Sequence, residues 1–132
     1  SGVGSFGLEC VSRGSLSIVF IESYKEVLPI LKKNILRLKC QNISSVIEKN
    51  IFNNLNFKDF KNEFDIIFMD PPYKEKNLHS LLTNIKKSNI LSKEGVFILH
   101  RHKKEKDDFP EDFNILEEKT YGISKVIFGN YT

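Results

Sequence analysis

The chain has 132 residues, 40% hydrophobic and 28% charged, which is the composition of a folded domain with a core rather than of a disordered or membrane-embedded chain. Its 20 basic and 17 acidic residues leave a net charge of +3, which tolerates a nucleic-acid partner without demonstrating one. No apolar run has the length of a membrane span, and no basic-then-apolar leader opens the chain; Cys10 and Cys40 stand far apart, as buried thiols do. A cytoplasmic protein with no membrane partner, disulfide or metal centre is expected.

The first stretch, Ser1-Gly2-Val3-Gly4-Ser5-Phe6-Gly7, is a G-x-G-x-x-G loop with no strand in front of it. Such a loop needs a strand to feed it and a helix to receive it, so the chain is expected to be the downstream part of a longer protein. Phe6, Leu8, Cys10 and Val11 supply the apolar side of the helix, and Gly14 stops it. Leu16–Glu22 reads as a strand ending in an acid. Glu22 follows Gly2 by the spacing at which a carboxylate meets a ribose, although an ordinary strand-end Glu has the same pattern.

Tyr24–Leu38 has helical spacing at Val27, Leu28, Leu31, Ile35 and Leu38. Pro29 predicts either a later start, with the proline in the first turn, or a bend. Ser44–Lys49 reads as a short strand. Asn50 and Ile51 then fall at its carboxyl end, either beside a bound adenine or in a plain loop before a short helix through Phe52 and Leu55. Leu78, Leu81, Leu82 and Ile85 predict another helix, and Gly95 precedes a strand at Val96–His100. Arg101–Asp112 reads as a charged surface loop. His100 and His102 share a side in an extended chain, more simply as a solvent-facing pair than as metal ligands. Asn114–Tyr121 and Ser124–Tyr131 flank Gly122-Ile123 as a hairpin.

Between these lies Phe64–Tyr73, FDIIFMDPPY, on which the functional reading rests. Its apolar run predicts a strand buried on both faces, as in a parallel sheet covered by helices. At Asp70 the run stops, and Pro71 and Pro72 carry the chain off in a stiff extended loop. Ligands of open α/β sheets bind at the carboxyl ends of strands. There the Asp70 carboxylate and a backbone carbonyl of the Asp70–Pro72 turn offer two acceptors for one exocyclic NH2, and Tyr73 offers a stacking face for its base.

Asp70-Pro71-Pro72-Tyr73 resembles the signature of S-adenosylmethionine-dependent methyltransferases that act on amino groups of bases. Gly2–Gly14, GVGSFGLECVSRG, adds a narrower likeness, as does Thr120-Tyr121-Gly122 more weakly: the chain is similar to the RsmD family, which methylates a guanine N2 amine in 16S ribosomal RNA. The resemblance implies an α/β, Rossmann-like methyltransferase fold with a mostly parallel sheet and a C-terminal antiparallel hairpin, in one domain over residues 1–132. It implies S-adenosylmethionine as cofactor, with Gly2, Gly4 and Gly7 along its methionine and ribose side, Glu22 on the ribose hydroxyls, and Asn50 and Ile51 beside the adenine. Asp70, Pro71, Pro72 and Tyr73 would hold the target amine and base, and 16S rRNA or the small subunit would be the partner of a monomer.

The family has a first strand and a basic segment before the glycine loop, and neither is in this sequence. The 132 residues by themselves are therefore expected to be poorly stable and inactive. Rival readings are a DNA adenine-N6 or cytosine-N4 methyltransferase, a nonenzymatic RNA-binding module, and a nicotinamide-dependent oxidoreductase. The last leaves Asp70–Tyr73 without a purpose.

Overall fold

The computed structural model describes residues 1–53, 56–60, 62–72 and 75–132, with Asp59 described by its backbone alone. Residue contacts divide the chain into two units, Ser1–Leu55 and Asn56–Thr132.

In the first unit the glycine loop leads into α1 (Ser5–Ser12), followed by β1 (Ile18–Ile21), α2 (Leu28–Arg37) and β2 (Ser44–Ile47). β1 and β2 pair in parallel, Ile18 opposite Ser44 through Ile21 opposite Ile47. Leu8, Phe20, Leu31, Ile35 and Cys40 form the core, with Val11, Ile18, Ile43 and Val46 packed around it. Two glycines are demanded by this packing. Gly4 sits in the left-handed region at φ 89°, and a Cβ there would lie 2.6 Å from Leu31 Cδ1. At Gly7 a Cβ would run into the Phe20 ring, so its absence lets α1 lie directly on β1.

The boundaries differ from the periodicity in explicable ways. β1 starts at Ile18, because Leu16 is 89% exposed and belongs to the turn after α1. α2 starts at Leu28 with Pro29 in its first turn, the one place where a missing N–H costs no helix bond. Leu38 lies just past the helix and is exposed, so it leaves the apolar face to Leu28, Leu31 and Ile35. Both cysteines are free thiols; burial, with the Glu9 charge beside it, pushes the Cys10 thiol pKa up, away from reactivity.

The second unit opens on a single 3-10 turn (Phe57–Asp59) whose Asn56 side chain accepts from the Lys58 N–H. It continues with β3 (Phe64–Met69), α3 (Leu78–Lys87), β4 (Leu91–His102), β5 (Phe113–Tyr121) and β6 (Ser124–Tyr131). The sheet order is β3-β4-β6-β5. β3 and β4 are parallel, while β6 pairs antiparallel with both β4 and β5, so β6 alone runs against the other strands. This is the expected parallel arrangement closed by a C-terminal hairpin, with β6 inserted between its predecessor strands.

One face of this sheet is sealed. Met69, Phe97, Leu99, Ile127 and Phe113 are buried, as are Leu78, Leu81, Leu82 and Ile85 of α3. The Tyr131 hydroxyl donates to the Leu82 carbonyl at 2.7 Å and ties the helix to β6; burial, with Asp112 nearby, raises its pKa and keeps it a donor. Phe113 is central to an aromatic cluster, with Phe97, Phe109 and Tyr131 ring centroids 5.3–5.9 Å away.

The other face corrects the expectation of a strand buried on both sides. Ile66 is 49% and Phe68 37% exposed, and Ile98, Val126 and Phe128 beside them are only half-buried. An apolar run records what a strand could bury, whereas α3 covers only one side. β4 is also longer than predicted. Leu91 pairs with Phe64, then the register shifts so that Ile66 meets Val96, and Ser92–Gly95 form the irregular stretch between. Its other end overturns the reading of Arg101 as loop. Arg101 and His102 belong to the strand, and Arg101, 2% exposed, continues the buried alternation of Phe97 and Leu99.

Candidate active site

In the first unit, Glu22 joins the strand end to the glycine loop. It follows the last residue of β1, and its backbone N–H donates to the Ile47 carbonyl of β2 at 3.0 Å. Oε1 accepts from the Gly2 N–H at 2.6 Å and the Ser1 ammonium at 3.0 Å. Oε2 accepts from the N–H groups of Ser23 and Tyr24, both at 3.0 Å. All four lone-pair positions of this buried carboxylate are thus engaged by donors of the loop and of the turn that follows. Burial pushes its pKa up, but the Tyr24 N–H, the Ser1 ammonium and the Gly2 N–H outweigh that and leave it lowered.

A lowered carboxyl pKa means that the ionised form binds the folded state. Its stabilisation is present above the ordinary value of 4.5 and is lost as pH falls through the depressed folded value. In this 132-residue chain, whose Ser1 ammonium is one of those donors, Glu22→Gln is expected to cost about 1.5–3 kcal/mol at pH 7, the range for hydrogen bonds to a charged group. Urea unfolding of both proteins at pH 7 and near pH 3 checks this: the difference between them narrows in acid. An undiminished gap near pH 3 would show that shape, rather than charge, holds the loop.

The other predicted cofactor residues are placed as follows. Gly4 donates its N–H to the Ser1 carbonyl at 3.0 Å and accepts from Leu8, which starts α1. Nothing lies within 4 Å of where a Cβ would stand on Gly2, so that flank of the loop is open. Asn50 accepts from the Phe52 N–H through its own side chain at 2.9 Å, an Asx turn, with Ile51 half-buried inside that turn. The structure thus joins Gly2 to Glu22 directly, while Asn50 serves its own turn.

In the second unit, Asp70 is the first residue beyond β3. Met69 pairs with Leu99 in the parallel ladder, so Asp70 comes level with His100, and both side chains project from the face opposite Met69 and Leu99. His100 Nδ1 lies 3.0 Å from Asp70 Oδ1. Asp70, Pro71, His100, Arg101, His102 and Ser124 line a cavity of about 200 Å³. Pro71 is buried and Pro72 exposed; Tyr73 lies outside the described residues.

The turn is held from below by a side chain that sequence reasoning put in a surface loop. Arg101 Nη1 donates to the Pro72 carbonyl at 3.0 Å, and Nη2 approaches the Glu75 carbonyl at 3.4 Å. The guanidinium's other edge makes a two-pronged pair with Asp107, Nε to Oδ2 at 2.9 Å and Nη2 to Oδ1 at 2.8 Å, and Glu105 stands 3.7 Å away. The Glu75 N–H also donates to the Pro72 carbonyl, at 2.9 Å. That carbonyl is therefore doubly occupied, whereas no described residue donates to the carbonyl of Pro71. Among the described residues, nothing donates to Asp70 Oδ2 or to the Pro71 carbonyl, so both acceptors are open on a braced turn. The signal for Arg101 was its place in the alternation Phe97, Leu99, Arg101, with Asp107 six residues on as counterion.

Among the described residues no group of three or more His, Cys, Asp or Glu could hold a metal, and no helix is long and apolar enough to cross a membrane.

Each unit puts polar groups at the carboxyl ends of parallel strands, as open α/β sheets do at their ligand sites. The same architecture occurs in a solved Haemophilus influenzae protein described as a methylase, at TM-score 0.81 and 30% identity, covering 97% of this chain and 80% of that one. A conserved hypothetical protein of Streptococcus pyogenes matches at TM-score 0.84 and 26% identity over 97% of this chain and 79% of its own. The fold is thus the Rossmann-like fold of methyltransferases, with a mostly parallel sheet and a terminal antiparallel hairpin. Residues 1–130 match the family model described as "Conserved hypothetical protein 95", and the chain belongs to that family, the RsmD family. A curated relative, the ribosomal RNA small subunit methyltransferase D of Haemophilus influenzae, is 31% identical over 124 residues, 93% of this chain. The chain spans 64% of that relative's length.

Proposed function

We propose that the complete protein carrying this chain transfers a methyl group from S-adenosylmethionine to the exocyclic N2 amine of a guanine in 16S ribosomal RNA. The observation that carries the reading is the braced Asp70–Pro72 turn. Its Pro72 carbonyl is consumed by Arg101 and Glu75, while Asp70 Oδ2 and the Pro71 carbonyl stay open for the two hydrogens of one amine. The printed name of the Haemophilus relative supports ribosomal RNA as the substrate class.

The residues present fit the cofactor. The open flank of Gly2 adjoins the Glu22 carboxylate, which already accepts N–H groups of the loop and would take a ribose hydroxyl in place of one of them. Gly4 shapes that loop and Gly7 lets α1 lie close on β1, while Asn50 and Ile51, in the turn after β2, would border the adenine. When bound, S-adenosylmethionine would supply a methyl group on a sulfonium, which the amine nitrogen would take while the carbon–sulfur electron pair stays with sulfur.

The protein's own part is positioning. Asp70 and the Pro71 carbonyl accept the amine's hydrogens, favour the pyramidal nitrogen whose lone pair is free to attack, and give its spare proton a carboxylate. Tyr73 stacks on the base. Residues 1–132 would belong to one methyltransferase domain of a complete protein that acts as a monomer in the cytoplasm, with 16S rRNA or the small subunit as its partner.

Labelled S-adenosylmethionine offered to the complete protein with naked 16S rRNA, assembled small subunits and duplex DNA tests the reading. Label recovered on guanine N2 of the RNA is expected. Label confined to DNA bases selects the DNA methyltransferase, and no transfer to any of the three leaves a nonenzymatic RNA-binding module.

A further inference from the structure

The Asp70 carboxylate has a neighbour that amine binding leaves without a purpose. An ionised carboxylate only accepts, so at 3.0 Å it is His100 Nδ1 that carries the hydrogen and donates to Oδ1. The neutral ring then keeps its lone pair on Nε2. His102, on the same face of β4, is held the other way. The Lys104 N–H donates to its Nδ1 at 3.1 Å, so the hydrogen of that neutral ring sits on Nε2.

The remaining charges nearby are turned away. Across β6, His100 faces Val126 and His102 faces Ser124. Lys125 projects to the opposite face, donating to the Glu105 carbonyl and lying 3.9 Å from Glu118, and Arg101 is consumed by Asp107 on that same face. Among the described residues, Asp70 is thus the one charged side chain hydrogen-bonded to His100.

We propose that His100 is a positioning residue for the methyl transfer, fixing Asp70 Oδ1 so that Oδ2 meets the amine. The inference rests on the methyltransferase reading above. The Nδ1–H bond to Oδ1 holds the carboxylate in one orientation and leaves the charge on Oδ2 to meet the positive charge developing on nitrogen.

The pair is at the surface, with side chains 38% and 58% exposed, so substitution at His100 does not threaten the core. In the complete protein, His100→Ala is expected to lower kcat about 10- to 100-fold at pH 8, the cost of a misplaced reacting group, with the KM for S-adenosylmethionine unchanged. His100→Asn puts an amide N–H near the position of Nδ1 and restores kcat to within a few-fold of wild type at pH 8. Wild-type kcat in His100→Ala, or no recovery of kcat in His100→Asn, overturns the inference while the methyltransferase reading stands. A wild-type protein that methylates no nucleic acid overturns both.

Discussion

Asp70→Ala is expected to reduce methyl transfer by the complete protein at least about 10²–10³-fold, the loss seen when one preorganised group is removed from a reacting centre. The carboxylate is the charged member of the two open acceptors, and its removal leaves only the Pro71 carbonyl to orient the amine. The residues proposed for the cofactor, Gly2, Gly4, Gly7 and Glu22, belong to the other unit, and none of their described hydrogen bonds involves Asp70. Affinity for S-adenosylmethionine, read by calorimetry, should therefore stay within about twofold of wild type, a difference of under half a kcal/mol. Asp70→Asn keeps an acceptor oxygen without the charge and should fall between the two. Turnover unchanged in Asp70→Ala would remove this turn from the chemistry.

The largest effect on stability is expected at Asp107. Its carboxylate answers a guanidinium whose side chain is fully buried, through bonds of 2.8 and 2.9 Å. Removing one partner of such a pair strands a charge in a site of low polarity, at a cost of about 3–5 kcal/mol. Glu105, 3.7 Å from the guanidinium, recovers only a part of that. Asp107→Ala should accordingly lower the unfolding free energy of the complete protein by that amount, read as a lower urea midpoint. The double change Arg101→Met with Asp107→Leu should lose much less than the sum of the single changes, because it removes both charges together. The same double variant still loses the Nη1 bond to the Pro72 carbonyl. Its stability should thus recover further than its kcat, which separates the ion pair's structural role from its bracing of the turn. Additive single effects would mean that the two side chains do not act as a pair.

Much of the site was legible before any coordinates. FDIIFMDPPY announces its own geometry, since prolines cannot continue a ladder and an apolar run must end where the acid begins. The glycine loop and Glu22 are twenty residues apart and do meet. The amphipathic spacing of Leu78, Leu81, Leu82 and Ile85 gives the buried side of α3 without error. What the periodicities could not supply was coverage and register. Ile66 and Phe68 belong to an apolar strand yet stand exposed, because alternation tells which residues share a face and not whether a helix lies over it.

The sequence by itself determined the class of fold and the elements that carry the candidate site, because local backbone preference and side-chain type are properties of neighbouring residues. Only the tertiary structure decided that His100 stands against Asp70 and that Arg101 is a buried brace. Both follow from the pairing of Met69 with Leu99, thirty residues apart in the chain. Strand register of that range is set by how two apolar faces pack together, and no local pattern encodes it.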